Sequence, residues 1–499
     1  MSPANAEDAD VVVVGGGPGG STLASLVAMQ GHRVLVLEKE NFPRYQIGES
    51  LLPSTIHGVC RLTGVSEKIS KAGFTLKRGG TFKWGSSPEP WTFSFSVSPK
   101  MTGETSHAFQ VDRGKFDKIL LDHARDVGAE VRENCLVSDI LSDGGRVCGV
   151  SYTGPDGSER TIRAKYVVDA SGNKSRLYKH VGTREYSQFF QNIALFGYFH
   201  GGKRLPAPNS GNILSVAFDS GWFWYIPLSD TLTSVGAVVR RDMAEKIQGD
   251  LEEALRGLIA ECPMIAEYLR GATRVADGPF NQLRVRKDYS YHNTKIWRPG
   301  MVLVGDAACF VDPIFSSGVH LATYSALLAA RSINSVMAGI VDEQVAFHEF
   351  ERRYFREFRV FYEFLMSFYD LHVSENSYFW SAKKITKNTC SELESFVELV
   401  GGVSSGDTTL AKADTIAQRF KDESEGFADA VDQIVANKGQ SMLPLFRSSI
   451  VRQVMRESSE VQSLAILGED TEGEAPLFEG GLVPSGDGLF WAVADDQPA

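Results

Sequence analysis

The chain has 499 residues, 43% of them hydrophobic and 23% charged, with a formal net charge of −11. That length accommodates roughly two to four structural units, and the acidic balance argues against nucleic acid as a partner, because phosphate binding needs a basic surface. There is no transmembrane stretch, Met1 to Asp10 is too polar for a signal peptide, and the six cysteines show no C-x-x-C or Cys/His spacing, so free thiols in a reducing cytoplasm are expected, with no metal site.

The first element is a strand over Val11 to Val14, buried on both faces, that runs straight into Gly15-Gly-Gly17-Pro18-Gly-Gly20-Ser21. Gly15, Gly17 and Gly20 satisfy G-x-G-x-x-G. Leu23, Leu26 and Val27 then mark one face of a helix that stops at Gly31. A second strand, Val34 to Leu37, ends in Glu38, 18 residues past Gly20, close to the spacing expected of a carboxylate that accepts the hydroxyls of an adenosine ribose. Bare backbone N–H groups and the helix N-terminus suit a pyrophosphate, so the segment predicts a dinucleotide site. By itself the motif does not separate NAD from FAD.

Between Pro43 and Pro53 the chain is a loop carrying Arg44, Gly48, Glu49 and Ser50, followed by a predicted helix over residues 54 to 72. Lys77, followed by Arg-Gly-Gly-Thr-Phe82-Lys-Trp84, is a cation at the entrance of an apolar strand, which suggests a partly buried ammonium with a task. Arg113 precedes a helix whose stripe is Phe116, Ile119, Leu120 and Ala124. A meander through residues 145 to 163 follows, and then the buried strand Tyr166 to Asp169. Residues 185 to 300 alternate apolar and polar side chains and predict an inserted antiparallel sheet with one helix near 243 to 260. Met301 to Val304 return as a buried strand ending in Gly305-Asp306, and a small-residue helix runs from His320 to Ser335. The nucleotide-binding unit is therefore discontinuous, spanning 1–340 around the insertion, and Asp306 is placed at a strand's carboxyl end. Beyond it, residues 341–499 predict a mainly helical region. Phe347, Phe350, Tyr354, Phe358, Phe361, Leu365 and Phe368 form its aromatic stripe, residues 400 to 440 are a loop and then a helix, and an acidic tail without Lys or Arg follows Arg456 and reads as loosely packed.

Gly305-Asp306, the first glycines and Glu38 together resemble the FAD-binding pattern of the aromatic-hydroxylase class of flavoproteins. Trp222-Phe-Trp224-Tyr-Ile226-Pro227 is similar to the W-x-W-x-I-P signature of flavin-dependent halogenases within that class, and Lys77 lies where those halogenases carry their catalytic lysine. The wording around residues 43 to 53, 222 to 240 and 301 to 335 looks closest to halogenases of glycopeptide-antibiotic biosynthesis. The resemblance implies an α/β Rossmann-type FAD domain with an antiparallel sheet domain and a helical C-terminal region. It implies FAD contacts at Gly15, Gly17, Pro18, Gly20, Ser21 and Glu38, and further ones at Arg44, Glu49, Arg113, Asp306 and Val319. Chloride is expected at the backbone N–H groups of Ser317 and Gly318.

The activity so implied uses reduced FAD, O₂ and chloride to make hypochlorous acid, which travels to Lys77 and chlorinates an activated ring. Trp222 and Trp224 would keep substrate away from the flavin. Tryptophan halogenases place a glutamate just before the chloride loop; here that position is Phe315. A phenol is activated by its own oxygen, so Phe315 points to a phenolic substrate, tyrosyl or β-hydroxytyrosyl, which the resemblance places on a peptidyl carrier protein. No nicotinamide site is evident, and reduced FAD is expected from a separate flavin reductase. A basic cluster of Arg284, Arg286, Lys287, Lys295 and Arg298 is a candidate docking surface for an acidic carrier domain, with a solvated sheet edge as the plainer reading. Leu489-Phe490-Trp491 is a candidate border of the substrate cavity. A flavin monooxygenase and a flavin-binding docking protein without chemistry are the competing readings.

Overall fold

Val11 to Val14 are buried because parallel strands flank them on both sides, Val11 standing opposite Val34 on one and Tyr166 on the other. In the computed structural model, which describes residues 8–84, 89–95, 106–370, 476 and 480–493, these strands form the centre of the first sheet. Its order is Trp297–Arg298, Met301–Leu303, Glu159–Asp169, Ala9–Val14, Val34–Leu37 and Glu130–Arg132. The meander strands Leu136–Asp143 and Arg146–Thr153 extend from the first half of Glu159–Asp169, whose second half pairs with Ala9–Val14. The α/β Rossmann-type layout thus holds the carboxyl ends of Ala9–Val14 and Met301–Leu303 at the same edge of the sheet, with Glu159–Asp169 between them, although Val14 and Met301 lie 287 positions apart in the sequence.

The second sheet is mainly antiparallel and draws on more of the chain than residues 185 to 300. Its order is Cys309–Phe310, Arg284–Asn293, Arg184–His200, Leu232–Arg240, Gly221–Pro227, Ile213–Phe218, Gly79–Lys83 and Trp91–Ser94. Gly79–Lys83 pairs in parallel with Ile213–Phe218. Period-two alternation divides the faces. Leu195, Phe223, Tyr225 and Val235 pack under the helices Leu251–Ala260 and Pro263–Tyr268. Phe196, Tyr198, Trp222, Trp224 and Ile226 point the other way, toward the first sheet and its helices.

Two long helices close the molecule. Ser317–Met337 lies against Pro18–Ala28, so near that a Cβ at Gly19 would stand 3.1 Å from the Ala322 carbonyl oxygen. The N-terminal parts of the two helices therefore meet, and both border the cavity. Glu343–Asp370 packs on Ser317–Met337, and the stripe from Phe347 to Leu365 is buried core; the Phe368 side chain is outside the described set. No helix among the described residues is long and apolar enough to cross a membrane.

Three local expectations need correction. Residues 54 to 72 are not one helix: a π-turn Ser54–Val59 leads into Cys60–Leu62, and the chain restarts at Ser66–Ser70 after Gly64, whose φ of 84° no helix accepts. Near 243 to 260 a 3₁₀ segment, Arg241–Ile247, precedes the α-helix. The end of the tail is not loose, because Leu482–Pro484 and Trp491–Val493 form a hairpin. The Trp491 indole donates to Ser332 Oγ at 2.9 Å, with the guanidiniums of Arg331 and Arg353 each 5.0 Å from its ring centroid. That docks it between the two long helices rather than at a cavity. The readings of residues 400 to 440 and of the acidic stretch before 476 lie outside the described residues.

Candidate active site

Between the two sheets lies a cavity of about 840 Å³, whose lining includes Gly15, Gly17, Pro18 and Glu38 from the first sheet's strand ends, Trp222, Trp224 and Ile226 from the second sheet, and Gly318. Gly15 adopts φ 101°, and a Cβ there would meet the Ala170 carbonyl oxygen at 2.6 Å. At Gly20 a Cβ would sit 1.9 Å from the Gly15 carbonyl oxygen, so this glycine serves close packing behind the cradle rather than its wall. Ser21 is likewise behind it, its hydroxyl donating to the Gly16 carbonyl at 2.9 Å. Glu38 accepts the Gly16 N–H at 2.6 Å and the Glu40 N–H at 2.9 Å, which fixes its carboxylate at the strand end.

The loop after Pro43 is held by a buried three-member ion cluster. Asp117 accepts Arg44 at 2.8 Å and Arg113 Nε and Nη2 at 2.8 and 2.9 Å, and Arg113 Nη1 donates to the Ile47 and Gly48 carbonyls at 2.6 and 3.1 Å. Asp117 thus compensates two guanidiniums that would otherwise be stranded near the cavity. Glu49 accepts a hydrogen bond from Tyr198 at 2.7 Å, while its other oxygen is buried without a partner. Burial pushes this carboxyl up to about 7, against the opposing Tyr198 bond and Arg113 charge. Asp306 is pushed up to about 6 by burial, opposed by Arg113, Arg184 and Arg286.

The two tryptophans form a wall. Trp224 Nε1 donates to Ser234 Oγ at 3.1 Å and Trp222 Nε1 to the Tyr369 hydroxyl at 2.8 Å. Trp224 pairs across the sheet with Gly236, where a Cβ would stand 2.2 Å from the indole; only a glycine lets that ring lie on the strand. Pro227 is buried at the strand end, outside the cavity wall.

Lys77 ends the short strand Thr75–Lys77 and is 2% exposed. Its Nζ donates to the Leu51 carbonyl at 2.8 Å and lies 3.4 Å from Ser316 Oγ, with the Phe95 ring 5.6 Å away. Burial alone lowers its pKa to about 7, and among the described residues it has no ion-pair partner. Lys77 is not in the cavity wall, whereas Ser316 is. Ser316 takes the left-handed conformation, φ 62°, between the turn Pro313–Phe315 and the helix that begins at Ser317. Gly318 and Val319 line the cavity; Ser317 does not, and its hydroxyl is buried without a hydrogen-bond partner.

Comparison with known proteins decides what this arrangement is. Residues 10–104 and 97–454 match the family profile described as tryptophan halogenase. The solved structure of the myxobacterial chondrochloren halogenase, a variant of FAD-dependent halogenases, is 51% identical, with a TM-score of 0.77 over 97% of this chain and 99% of the other. The chain is a flavin-dependent halogenase of this family. It is also 36% identical over 380 residues to a tryptophan 2-halogenase of Chondromyces crocatus, covering 75% of this chain and 70% of the relative. A 1H-pyrrole-2-carbonyl-[peptidyl-carrier protein] chlorinase of Pseudomonas fluorescens is 34% identical over 388 residues, covering 73% and 84%.

The halogenase's cofactor is FAD, and the cavity fits it. The glycine cradle leaves no room for a Cβ at Gly15, the N-terminal parts of two helices border the cavity, and Glu38 is held at the second strand's end. When bound, FAD would supply the redox chemistry with O₂, and the residues here would hold and orient it. Asp117, Tyr198, Gly236 and Tyr369 carry geometry that the sequence reading passed over. Asp117 had a signal, since it lies four residues after Arg113 on one helix face. The basic cluster is divided: Arg286 and Lys287 line the cavity and Arg284 lies 3.6 Å from the Tyr45 ring centroid. Arg298 is turned to the His180 and Gly145 carbonyls at 2.8 and 2.7 Å.

Proposed function

We propose that this halogenase chlorinates a phenolic ring, through hypochlorous acid delivered to Lys77. The observation that carries the substrate class is Phe315. Its ring packs 5.8 Å from Phe82, so the residue just before Ser316 supplies an aromatic side chain where a carboxylate would assist attack on a less activated ring. A phenol brings its own activating oxygen and needs no such help. Lys77, poised near neutral pH and bonded only to neutral oxygens among the described residues, suits an amine that holds or briefly carries the electrophilic chlorine. Chloride is assigned to the backbone N–H groups of Ser317 and Gly318. Apart from its chain neighbours and its own helix backbone, a Cβ at Gly318 would meet only Phe310 Cε2, at 4.0 Å, so no distant segment crowds the residue to which the ion is assigned.

Within the phenolic class, the sequence resemblance points to a tyrosyl or β-hydroxytyrosyl unit of the glycopeptide type, tethered to a peptidyl carrier protein. The carrier-protein substrate named for the pyrrole chlorinase relative supports tethering. Reduced FAD is assigned to a separate flavin reductase. The test supplies the enzyme with a reductase, chloride and four substrates: free tyrosine, a carrier-bound tyrosyl unit, free tryptophan and a carrier-bound pyrrole-2-carbonyl. Mass spectrometry should find chlorine on the tethered tyrosyl unit. Chlorine on tryptophan or pyrrole alone would refute the phenolic reading, and chlorination of free tyrosine at the same rate would refute tethering.

A further inference from the structure

Tyr369, in the last turn of the helix Glu343–Asp370, is fully buried, and its hydroxyl has both hydrogen-bonding directions assigned. Its oxygen accepts the Trp222 indole N–H at 2.8 Å, and its proton goes to Asp312 Oδ2 at 2.8 Å. Asp312 is itself 1% exposed. The same oxygen accepts Asn192 Nδ2 at 3.0 Å, and Asp312 Oδ1 accepts the Ile314 N–H at 3.2 Å, which caps the turn Pro313–Phe315. That turn leads directly into Ser316, the neighbour of Lys77, and into Ser317 and Gly318. The Tyr369 ring is fixed as well, edge-on to Trp84 at 5.7 Å and to Phe190 at 5.4 Å.

A phenol so placed does two things at once. It sets the rotation of an indole on the cavity wall, and it anchors the carboxylate from which the proposed halide loop springs. Every polar atom in the chain from Trp222 to the Ile314 N–H lies away from water, where a lost partner is costly and a retained one specifies geometry. We propose that Tyr369 is a positioning residue for halide oxidation, holding Trp222 and the Ser317–Gly318 loop in fixed relation so that chloride is bound beside the flavin. The inference rests on the chloride assignment made above.

The test uses the FAD-loaded full chain and follows chloride titration by flavin fluorescence, which needs no turnover. Tyr369→Phe keeps the ring packing and removes both hydrogen bonds. The expected result is about ten-fold weaker chloride binding, FAD affinity unchanged, and fewer chlorinated products per O₂ consumed. A merely structural hydroxyl would lower the melting temperature and leave chloride affinity where it was, which overturns the proposal. If Tyr369→Phe accumulates poorly, Asp312→Asn probes the same link from its other end, since it takes away the carboxylate that receives the Tyr369 proton while leaving the phenol in place. Weaker chloride binding in that variant supports the link, and chloride affinity equal to wild type overturns it. Gly318→Val separates the two layers of argument. If it weakens chloride while Tyr369→Phe does not, the halide loop stands and the positioning role fails. If neither moves chloride, the halide assignment has failed and the positioning role falls with it.

Discussion

Replacing Lys77 by methionine should make the protein more stable at neutral pH while abolishing chlorination. Burial lowers the Lys77 pKa from its ordinary 10.5 to about 7, so between those values the unfolded chain binds the proton that the folded chain has released. Stability of the wild type therefore rises with pH across that window. At about 1.4 kcal/mol per pH unit, the burden at pH 7 is on the order of 4 kcal/mol, and by pH 10 it has shrunk below about 1 kcal/mol. Methionine has similar length and no charge, but it leaves the Leu51 carbonyl without its donor, which returns about 1 kcal/mol. The net gain is then about 3 kcal/mol at pH 7 and roughly nothing at pH 10. For 499 residues, an unfolding entropy of about 2.1 cal/mol/K per residue equates 1 kcal/mol with about 1 °C. Thermal scans of FAD-bound protein should show Lys77→Met melting about 3 °C above wild type at pH 7, with the curves merging by pH 10. An equal difference at both pH values, or a variant that melts lower at pH 7, would refute a titrating buried amine.

The chlorination rate should rise with pH through about 7 and level off above 8, as the Lys77 amine is freed; a flat profile between pH 6 and 8 would show that the protonated form serves equally well. Glu49→Gln keeps an acceptor for Tyr198. Because burial raises the Glu49 pKa from 4.5 to about 7, the wild type is fully supported below pH 4.5 and loses that support as pH rises through 7. The variant should therefore gain on the order of 3 kcal/mol relative to wild type at pH 8 and nothing at pH 4.5, read as the melting-temperature difference. Asp117→Ala strands two buried guanidiniums, with an expected loss of about 3–5 kcal/mol and of FAD affinity, measured by calorimetry and flavin fluorescence. Gly236→Ala puts a Cβ against the Trp224 indole and should weaken FAD about ten-fold, whereas unchanged affinity would mean that the ring can move aside. Arg286→Glu should weaken FAD as well, since that side chain lines the cavity and acts on Asp306; a variant impaired only toward carrier-bound substrate would restore the docking reading.

The glycine cradle assigned to FAD was legible because it is local backbone chemistry: a buried strand, glycines that a Cβ would spoil and an acid at the next strand's end occupy residues 11 to 38. The tryptophan pair was legible for a similar reason, since alternation alone puts Trp222, Trp224 and Ile226 on one face. What escaped depends on contacts between distant segments. The pairing of Gly79–Lys83 with Ile213–Phe218 joins strands more than 120 residues apart, and no periodicity announces it. Tyr369 continues the helical stripe at i+4 from Leu365, so its ring reads as core, and only the fold shows its hydroxyl between Trp222 and Asp312. The basic run from Arg284 to Arg298 reads as one patch only along the chain, whereas in the fold Arg286 lines the cavity and Arg298, at the end of a short strand, is turned onto carbonyls. The end of the tail misled by composition: acidic and glycine-rich surroundings conceal one tryptophan that two guanidiniums and two serines hold in place.

The placement of Lys77 bears on how oxidation and transfer are kept apart. Trp222 and Trp224 have their N–H groups committed to Tyr369 and Ser234, so neither offers a donor to a ring that might enter, and both act as fixed surface. On the proposed reading, this fixed surface keeps substrate from the flavin, and an oxidant small enough to diffuse links the two. Ser316 is the residue that touches both sides, because it stands in the cavity wall and its Oγ is 3.4 Å from Lys77 Nζ. On the proposed reading, hypochlorous acid leaving the cavity meets an amine that burial has made half-neutral at pH 7, a state in which it can accept chlorine as well as donate a hydrogen bond. An exposed lysine, protonated at that pH, could only donate. The desolvation that costs stability at this one position thus supplies the nucleophilic form that the transfer step requires.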